Sequence, residues 1–161
     1  MKLLSGITTQ SYGFYFVILG QRKKEMKEYL YKLEMKTRDY ECDIQGVVNN
    51  ANYIHYLEAT RHEWLVSTGV SFRKWHEEGI ETMVSEISIK YKASLHGQED
   101  FISCLNLHRD GPRFIFDQDI YRKSDMRLCV SAQVSTICVI DGRVTRGDEV
   151  LPYLGKFLEN A

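Results

Sequence analysis

The sequence lacks the cysteine and histidine patterns of a metal or redox protein. Its four cysteines form no Cys-x-x-Cys pair, and no group of histidines and cysteines has the spacing of a zinc site. We therefore expect no bound metal. The cysteines are predicted to be buried free thiols in a reducing cytoplasm; they are Cys42, Cys104, Cys129 and Cys138.

An excess of positive charge and a long apolar run are also missing. The formal net charge is −1 over 161 residues, whereas binding of nucleic acid requires a basic surface. The apolar run at residues 12–19 is too short to span a bilayer, and no small-residue cleavage site precedes the basic residues 22–24 that follow it. We expect no nucleic-acid partner and no membrane span, and we interpret residues 1–25 as an N-terminal extension.

Neither an internal repeat nor a linker divides the rest of the chain. The length suffices for one domain with one core, and the apolar fraction of 43% is ordinary for a globular protein. Residues 26–161 are therefore predicted to form a single domain.

The hydrophobic patterns of this domain predict one strand, two helices and four further strands. Alternation predicts the first strand over residues 29–37, and apolar residues at helical spacing predict a helix over 52–68, capped by Asn50 or Asn52. A short helix over 71–78 follows, then strands at 82–92, 101–108, 114–122 and 127–140, and a short closing helix within 147–161. In the strand over 82–92, Met83 and Ile87 are assigned to one face.

This order predicts an α+β fold in which a curved antiparallel sheet of about five strands wraps around the first helix. Such a sheet has open edges, and open edges invite pairing with another subunit. We therefore predict a homodimer or homotetramer.

The stretch from Asp43 to Tyr53 carries the chemistry. Asp43 lies seven residues before Asn50, where a helix begins, and Gly46 between them permits a sharp bend. A helix N-terminus offers free N–H groups and the positive end of a dipole, which stabilise a developing oxyanion. A carboxylate attacks a carbonyl or activates a water. Together these parts suit the hydrolysis of a thioester.

Six residues of this stretch resemble the active-site signature of the 4-hydroxybenzoyl-CoA thioesterase family, and the resemblance extends over about residues 29–140. They are Cys42, Asp43, Gly46, Val47, Val48 and Tyr53. The resemblance implies a hotdog fold and the hydrolysis of acyl-CoA to a free acid and CoA, without a cofactor beyond the CoA of the substrate.

The same resemblance implies roles for individual residues. Asp43 is expected to be the nucleophile or general base, and the backbone N–H of Asn50 is expected to polarise the thioester carbonyl. Asn50 replaces the His or Tyr of other members, which a backbone donor tolerates. Gly46, Val48 and Tyr53 are expected to contact the substrate.

Other charged residues are secondary candidates. Glu58 is a reserve candidate for the catalytic carboxylate, since related hotdog enzymes use an acid on the helix. An ordinary ion pair on the helix surface is the alternative role for Glu58.

Arg109 and Arg113 flank a turn where the family places basic residues against the CoA nucleotide, and the planar guanidinium of arginine binds phosphate well. A solvated turn is the alternative. Lys90 and Lys92 are weaker candidates for the same role.

Other functions remain open at this point. An acyl carrier protein shares the phosphopantetheine arm of CoA, so an acyl-carrier-protein thioesterase is one alternative. A catalytically silent acyl-CoA-binding protein is another, because a fold does not prove an activity. A hotdog dehydratase is disfavoured, since the loop between Asp39 and Asn52 contains no histidine.

Overall fold

The computed structural model describes residues 27–158, so the predicted extension at residues 1–25 lies outside the described part. The sheet is antiparallel, with the strand order β1-β3-β4-β5-β2 and a short β6 beside β5. This confirms the predicted antiparallel sheet of about five strands. The strands are β1 Tyr31–Lys36, β2 Ile80–Tyr91, β3 Asp100–Asp110, β4 Arg113–Arg122, β5 Arg127–Ile140 and β6 Arg143–Val144.

Three α-helices accompany the sheet: α1 Asn50–Ser67, α2 Phe72–Glu77 and α3 Leu151–Leu158. Helix α1 begins two residues earlier than predicted because its N-cap is Asn49, whose Oδ1 accepts a hydrogen bond from the N–H of Ala51 at 3.0 Å. The cap prediction of Asn50 or Asn52 was therefore wrong. Among residues 27–158, no helix is long and apolar enough to cross a membrane.

The core holds α1 against one face of the sheet. Trp64 packs edge-on against Phe116 with ring centroids 5.7 Å apart, and Tyr56 packs against Phe101 at 4.7 Å. Burying each such side chain contributes about 1.5–3 kcal/mol. Because these two contacts lie about two helical turns apart, they fix the direction and position of α1 on the sheet.

Strand β2 forms one edge of the sheet and contains a bulge. Its pairing with β5 shifts register between Val84 and Glu86, so that Met83 lies opposite Ile137 while Ile87 lies opposite Val134. Met83 and Ile87 therefore face opposite sides, and the prediction of a shared face was wrong, because the extra residue reverses the alternation. Within the described chain, β2 pairs only with β5, which leaves its other edge open.

Candidate functional site

The loop between β1 and α1 folds back on itself around Asp43. The N–H of Asp43 donates to the carbonyl of Val47 at 2.9 Å, and the N–H of Gly46 donates to the carbonyl of Asp43 at 3.0 Å. Gly46 has φ +74°, a conformation that favours glycine, and an added Cβ would meet no atom within 4 Å. Position 46 therefore favours glycine because of its backbone conformation and not because space is short.

Only one oxygen of the Asp43 carboxylate accepts a hydrogen bond within this turn. Its Oδ1 accepts from the N–H of Gln45 at 2.8 Å, while Oδ2 has no hydrogen-bond partner among residues 27–158. The side chain is half-buried. One carboxylate oxygen is therefore oriented by the loop and the other remains available.

The loop is anchored to the connection between β2 and β3. The N–H of Val48 donates to the carbonyl of Leu95 at 2.8 Å, and the N–H of Leu95 donates to the hydroxyl of Tyr53 at 3.0 Å. Val48 and Tyr53 are almost fully buried. These two side chains therefore form the wall behind the loop.

Asp43 and the first residue of α1, Asn50, line a single cavity of about 370 Å³. The structure thus brings together Asp43, Asn50, Val48 and Tyr53, while Gly46 shapes the loop without lining the cavity. The remaining wall is formed by Val47, Tyr91, Lys92, Ala93 and Ser94.

The backbone N–H of Asn50 is a free donor at this cavity. The N–H of Ala51 is taken by the side chain of Asn49, and the N–H of Asn52 donates to the carbonyl of Asn49 at 2.9 Å. Within the described chain, the N–H of Asn50 has no acceptor. It also lies at the N-terminus of an 18-residue helix, where the helix dipole favours negative charge.

Glu41 ties the loop to α1. Its carboxylate is buried and accepts hydrogen bonds from the hydroxyl of Tyr56 at 2.7 Å and from the N–H of Arg38 at 2.6 Å. Its carbonyl accepts from the N–H of Asn49 at 2.9 Å. Burial and the bond to Glu41 raise the pKa of Tyr56, which keeps the phenol a donor. No pattern in the sequence distinguishes Glu41, which lies in a polar segment between β1 and α1.

The end of β2 completes the cavity. The hydroxyl of Tyr91 donates to the carbonyl of Asn50 at 3.1 Å, and Lys92 lines the wall beside it. Lys90, the other weak candidate for binding phosphate, lines a different groove. Sequence reasoning did not place Tyr91 at this site, because about forty residues separate it from the loop.

Cys42 adjoins Asp43 and is only half-buried, so the prediction of a buried thiol was wrong for this residue, because it lies in the surface loop before α1. The other three cysteines are buried as predicted; they are Cys104, Cys129 and Cys138. Burial raises the pKa of the Cys42 thiol, and the nearby carboxylates of Asp39 and Asp43 raise it further. The thiolate is the nucleophilic form of cysteine, so the raised pKa disfavours a nucleophilic role for Cys42. Among residues 27–158, no cluster of three histidine, cysteine or carboxylate side chains is placed to hold a metal.

The reserve carboxylate and the two arginines lie away from this cavity. Glu58 is about 12 Å along α1 from Asn50, at 1.5 Å per residue. Arg109 lies about 30 Å along β3 from Asp100, the end nearest the loop. Its guanidinium binds Asp148 Oδ1 and the carbonyl of Arg146, both at 2.7 Å. Arg113 is exposed and forms no ion pair in the described part of the chain.

Comparison with known proteins identifies the family of this chain. Residues 37–153 match the model of the thioesterase-like superfamily. The acyl-acyl carrier protein thioesterase ATL3, chloroplastic, from Arabidopsis thaliana is 34% identical over 100 residues, which cover 62% of this chain and 52% of ATL3. The match thus spans about half the length of that relative.

Solved structures agree on the fold. A hypothetical protein from Aquifex aeolicus has a TM-score of 0.70 at 27% identity, covering 77% of this chain and 98% of its own. A DHNA-CoA thioesterase from Staphylococcus aureus has a TM-score of 0.69 at 21% identity, covering 78% and 85%, and shows the fold alone. Since the family model spans well over half of its residues, the chain belongs to the thioesterase-like superfamily and has the hotdog fold.

Proposed function

We propose that the protein hydrolyses an acyl-CoA thioester to a free acid and CoA, with Asp43 as the catalytic carboxylate. The observation that supports this is that Asp43 and Asn50 line one cavity, and that the backbone N–H of Asn50 has no acceptor within the described chain. The family supports thioester hydrolysis in general. The narrower likeness to 4-hydroxybenzoyl-CoA thioesterases remains part of the proposal.

The chemistry follows from the two groups. The N–H of Asn50 donates to the thioester oxygen and stabilises the negative charge that develops on it. Asp43 then attacks the carbonyl carbon, the C–S bond breaks, and CoA leaves as a thiolate; water hydrolyses the resulting anhydride. In the general-base form, Asp43 takes a proton from a water that attacks instead. Both forms consume one water and release the same products.

An acyl-carrier-protein substrate is the second candidate, and the similarity to ATL3 favours it. Comparing kcat/KM for one acyl group carried on CoA and on acyl carrier protein separates the two. A silent binding protein would bind both and hydrolyse neither. The absence of a cofactor beyond CoA, the absence of a nucleic-acid partner and the cytoplasmic location stay predictions.

We also propose that the protein works as a dimer paired through the open edge of β2. This edge strand is twelve residues long and exposes apolar side chains on the face that points toward α1. On α1, Ile54 is exposed as well. Antiparallel pairing of two β2 strands about a two-fold axis gives hydrogen-bond partners to the unpaired backbone groups of this edge and covers these side chains.

Ile87→Lys is expected to convert the dimer to a monomer, because it places a charge in the proposed interface. Light scattering at micromolar concentration measures the change. Val144→Lys is the matched control, since Val144 is also an exposed apolar residue but lies on β6, outside the proposed interface. A wild-type protein that is monomeric and fully active would contradict the proposed assembly.

Arg113 is proposed to bind the CoA nucleotide. Arg113 pairs with Asp110, at the end of β3 far from the Asp43 loop. The nucleotide that Arg113 binds therefore belongs to substrate held at the Asp43 cavity of another subunit. Arg113→Ala should raise KM for acyl-CoA severalfold and leave hydrolysis of a truncated pantetheine thioester unchanged. Arg109→Ala should reduce stability instead, because Arg109 bonds Asp148 and the carbonyl of Arg146. Equal loss on both substrates in Arg113→Ala would argue for a structural role.

A further inference from the structure

A second cavity lies between α1, α2 and the sheet. Its volume is about 170 Å³, close to the roughly 150 Å³ of an engineered cavity that binds benzene. Its floor is apolar, formed by Leu65, Phe72, Trp75, Phe114, Phe116, Val150 and Leu154. The cavity therefore suits a group about the size of one ring or a short alkyl chain.

One wall of this apolar cavity is the buried cation of Arg61. The residue is only 8% exposed, and its guanidinium donates to Gln118 Oε1 at 2.8 Å. Gln118 is a neutral partner, and its own Nε2 donates to the carbonyl of Leu57 at 3.0 Å. Among residues 27–158, Arg61 forms no ion pair. A guanidinium has five N–H donors, and within residues 27–158 only Nη1 of Arg61 has an acceptor. No nitrogen of Arg61 in the described chain is both fully enclosed and unpartnered, so its remaining donors face the cavity or solvent.

The groups that face Arg61 do not remove this excess of donors. Glu58 lies one turn earlier on α1 and raises the pKa of Arg61, but burial has the larger effect and lowers it. The exposed ring of His62 stacks on Phe72 with centroids 4.9 Å apart. Trp75 adds another donor: its Nε1 is buried and has no hydrogen-bond partner in the described part of the chain.

We propose that this cavity binds the acyl group of the substrate and selects acyl groups that carry an acceptor oxygen, which Arg61 binds. The identity of the ligand as an acyl group rests on the proposed thioesterase function. An apolar floor holds the carbon skeleton, and Arg61 binds the oxygen. Arg61 thereby determines specificity and does not take part in the bond-breaking step.

The proposed dimer explains how a short acyl group reaches this cavity. Thr82 and Val84 of β2 line it. Pairing of two β2 strands about a two-fold axis at their middle places these residues beside positions 87–89 of the second subunit. Those positions precede Tyr91 and Lys92, which line the Asp43 cavity of that subunit. The acyl group then extends from Asp43 of one subunit to Arg61 of the other.

The first test measures binding without catalysis. Phenol and toluene have the same size and differ in one oxygen. Titrating each into protein with ¹⁵N-labelled indoles should shift one of the two tryptophan N–H signals, assigned to Trp75 with a Trp75→Phe variant. Phenol should bind about tenfold more tightly than toluene, as expected for one hydrogen bond to a charged group. Equal affinities, or binding of neither, would overturn the proposal.

The variant Arg61→Met should abolish the preference for phenol while toluene still binds. Arg61→Met combined with Gln118→Leu removes both partners of the buried bond, and replacing buried polar pairs by apolar residues is often tolerated. The double variant should give the same result if the single variant folds poorly. A preference for phenol that persists in these variants would contradict the role of Arg61.

The second test measures selectivity in hydrolysis, with 6-hydroxyhexanoyl-CoA and heptanoyl-CoA as a pair of equal length. The wild type should prefer the hydroxylated substrate, and Arg61→Met should bring the ratio of the two kcat/KM values to about one. If phenol binds preferentially but no thioester is hydrolysed, the proposed function fails and the cavity assignment stands. If both thioesters are hydrolysed equally and phenol has no advantage, the assignment fails and the function stands.

Discussion

Asp43→Asn is expected to lower kcat for acyl-CoA hydrolysis by about 10²–10⁴-fold, the range for losing a positioned acid–base group. The amide keeps the size of the carboxylate and can still accept the N–H of Gln45 through its oxygen. It cannot attack the carbonyl or accept a proton from water. KM should change little, because contacts to the ground state persist.

Glu58→Gln on the same substrate is the matched comparison. Glu58 lies about 12 Å along α1 from Asn50, so in its own subunit it does not share the Asp43 cavity. We expect a much smaller effect on kcat than for Asp43→Asn. Near-normal turnover in Asp43→Asn together with collapse in Glu58→Gln would move the catalytic role to the helix.

Asn50→Pro is expected to lower kcat by about 10²–10³-fold, the usual loss for one oxyanion-hole donor. Asn50 is the first helical residue, a position where proline is favoured because its N–H has no partner within the helix. Asn49 has φ −59° and ψ 138°, which a residue before proline readily adopts. The substitution therefore removes the donor while the helix persists.

Asn50→Ala is the control, since it changes the side chain and keeps the N–H. It should retain nearly full activity, and circular dichroism and thermal unfolding should show that both variants are folded. Nearly equal activity of the two variants would contradict a role for the backbone donor. A large loss in Asn50→Ala would indicate a role for the amide side chain.

The parts of the site that the sequence predicts are local in the chain. Asp43 and Asn50 are seven residues apart, so one turn and one helix start determine their relation. Lys92 and Tyr91 come to the cavity only through the pairing of β2 with β5 and the packing of α1. No local pattern encodes those contacts, and nothing in a polar loop distinguishes the buried Glu41 from an exposed glutamate.

The fold, like the site, was predictable where it depends on the local sequence. Alternation predicted β1, whose residues alternate between half-buried and exposed, and it also predicted β2. Because β2 is the open edge of the sheet, it is exposed along nearly its whole length. The bulge in β2 escaped prediction, since one extra residue between Val84 and Glu86 shifts the register without changing the type of element. Such a residue reassigns every side chain beyond it to the opposite face.

The position of β1 has a consequence for synthesis on the ribosome. This strand leads into the Asp43 loop, yet its only partner in the described sheet is β3, where Tyr31 pairs with Leu105, 74 residues later. Contacts at such separation form slowly, because a long loop must close first. The nascent chain therefore carries all the residues from Asp43 to Asn50 long before it has the strand that holds them, and the site is assembled only after β3 has emerged.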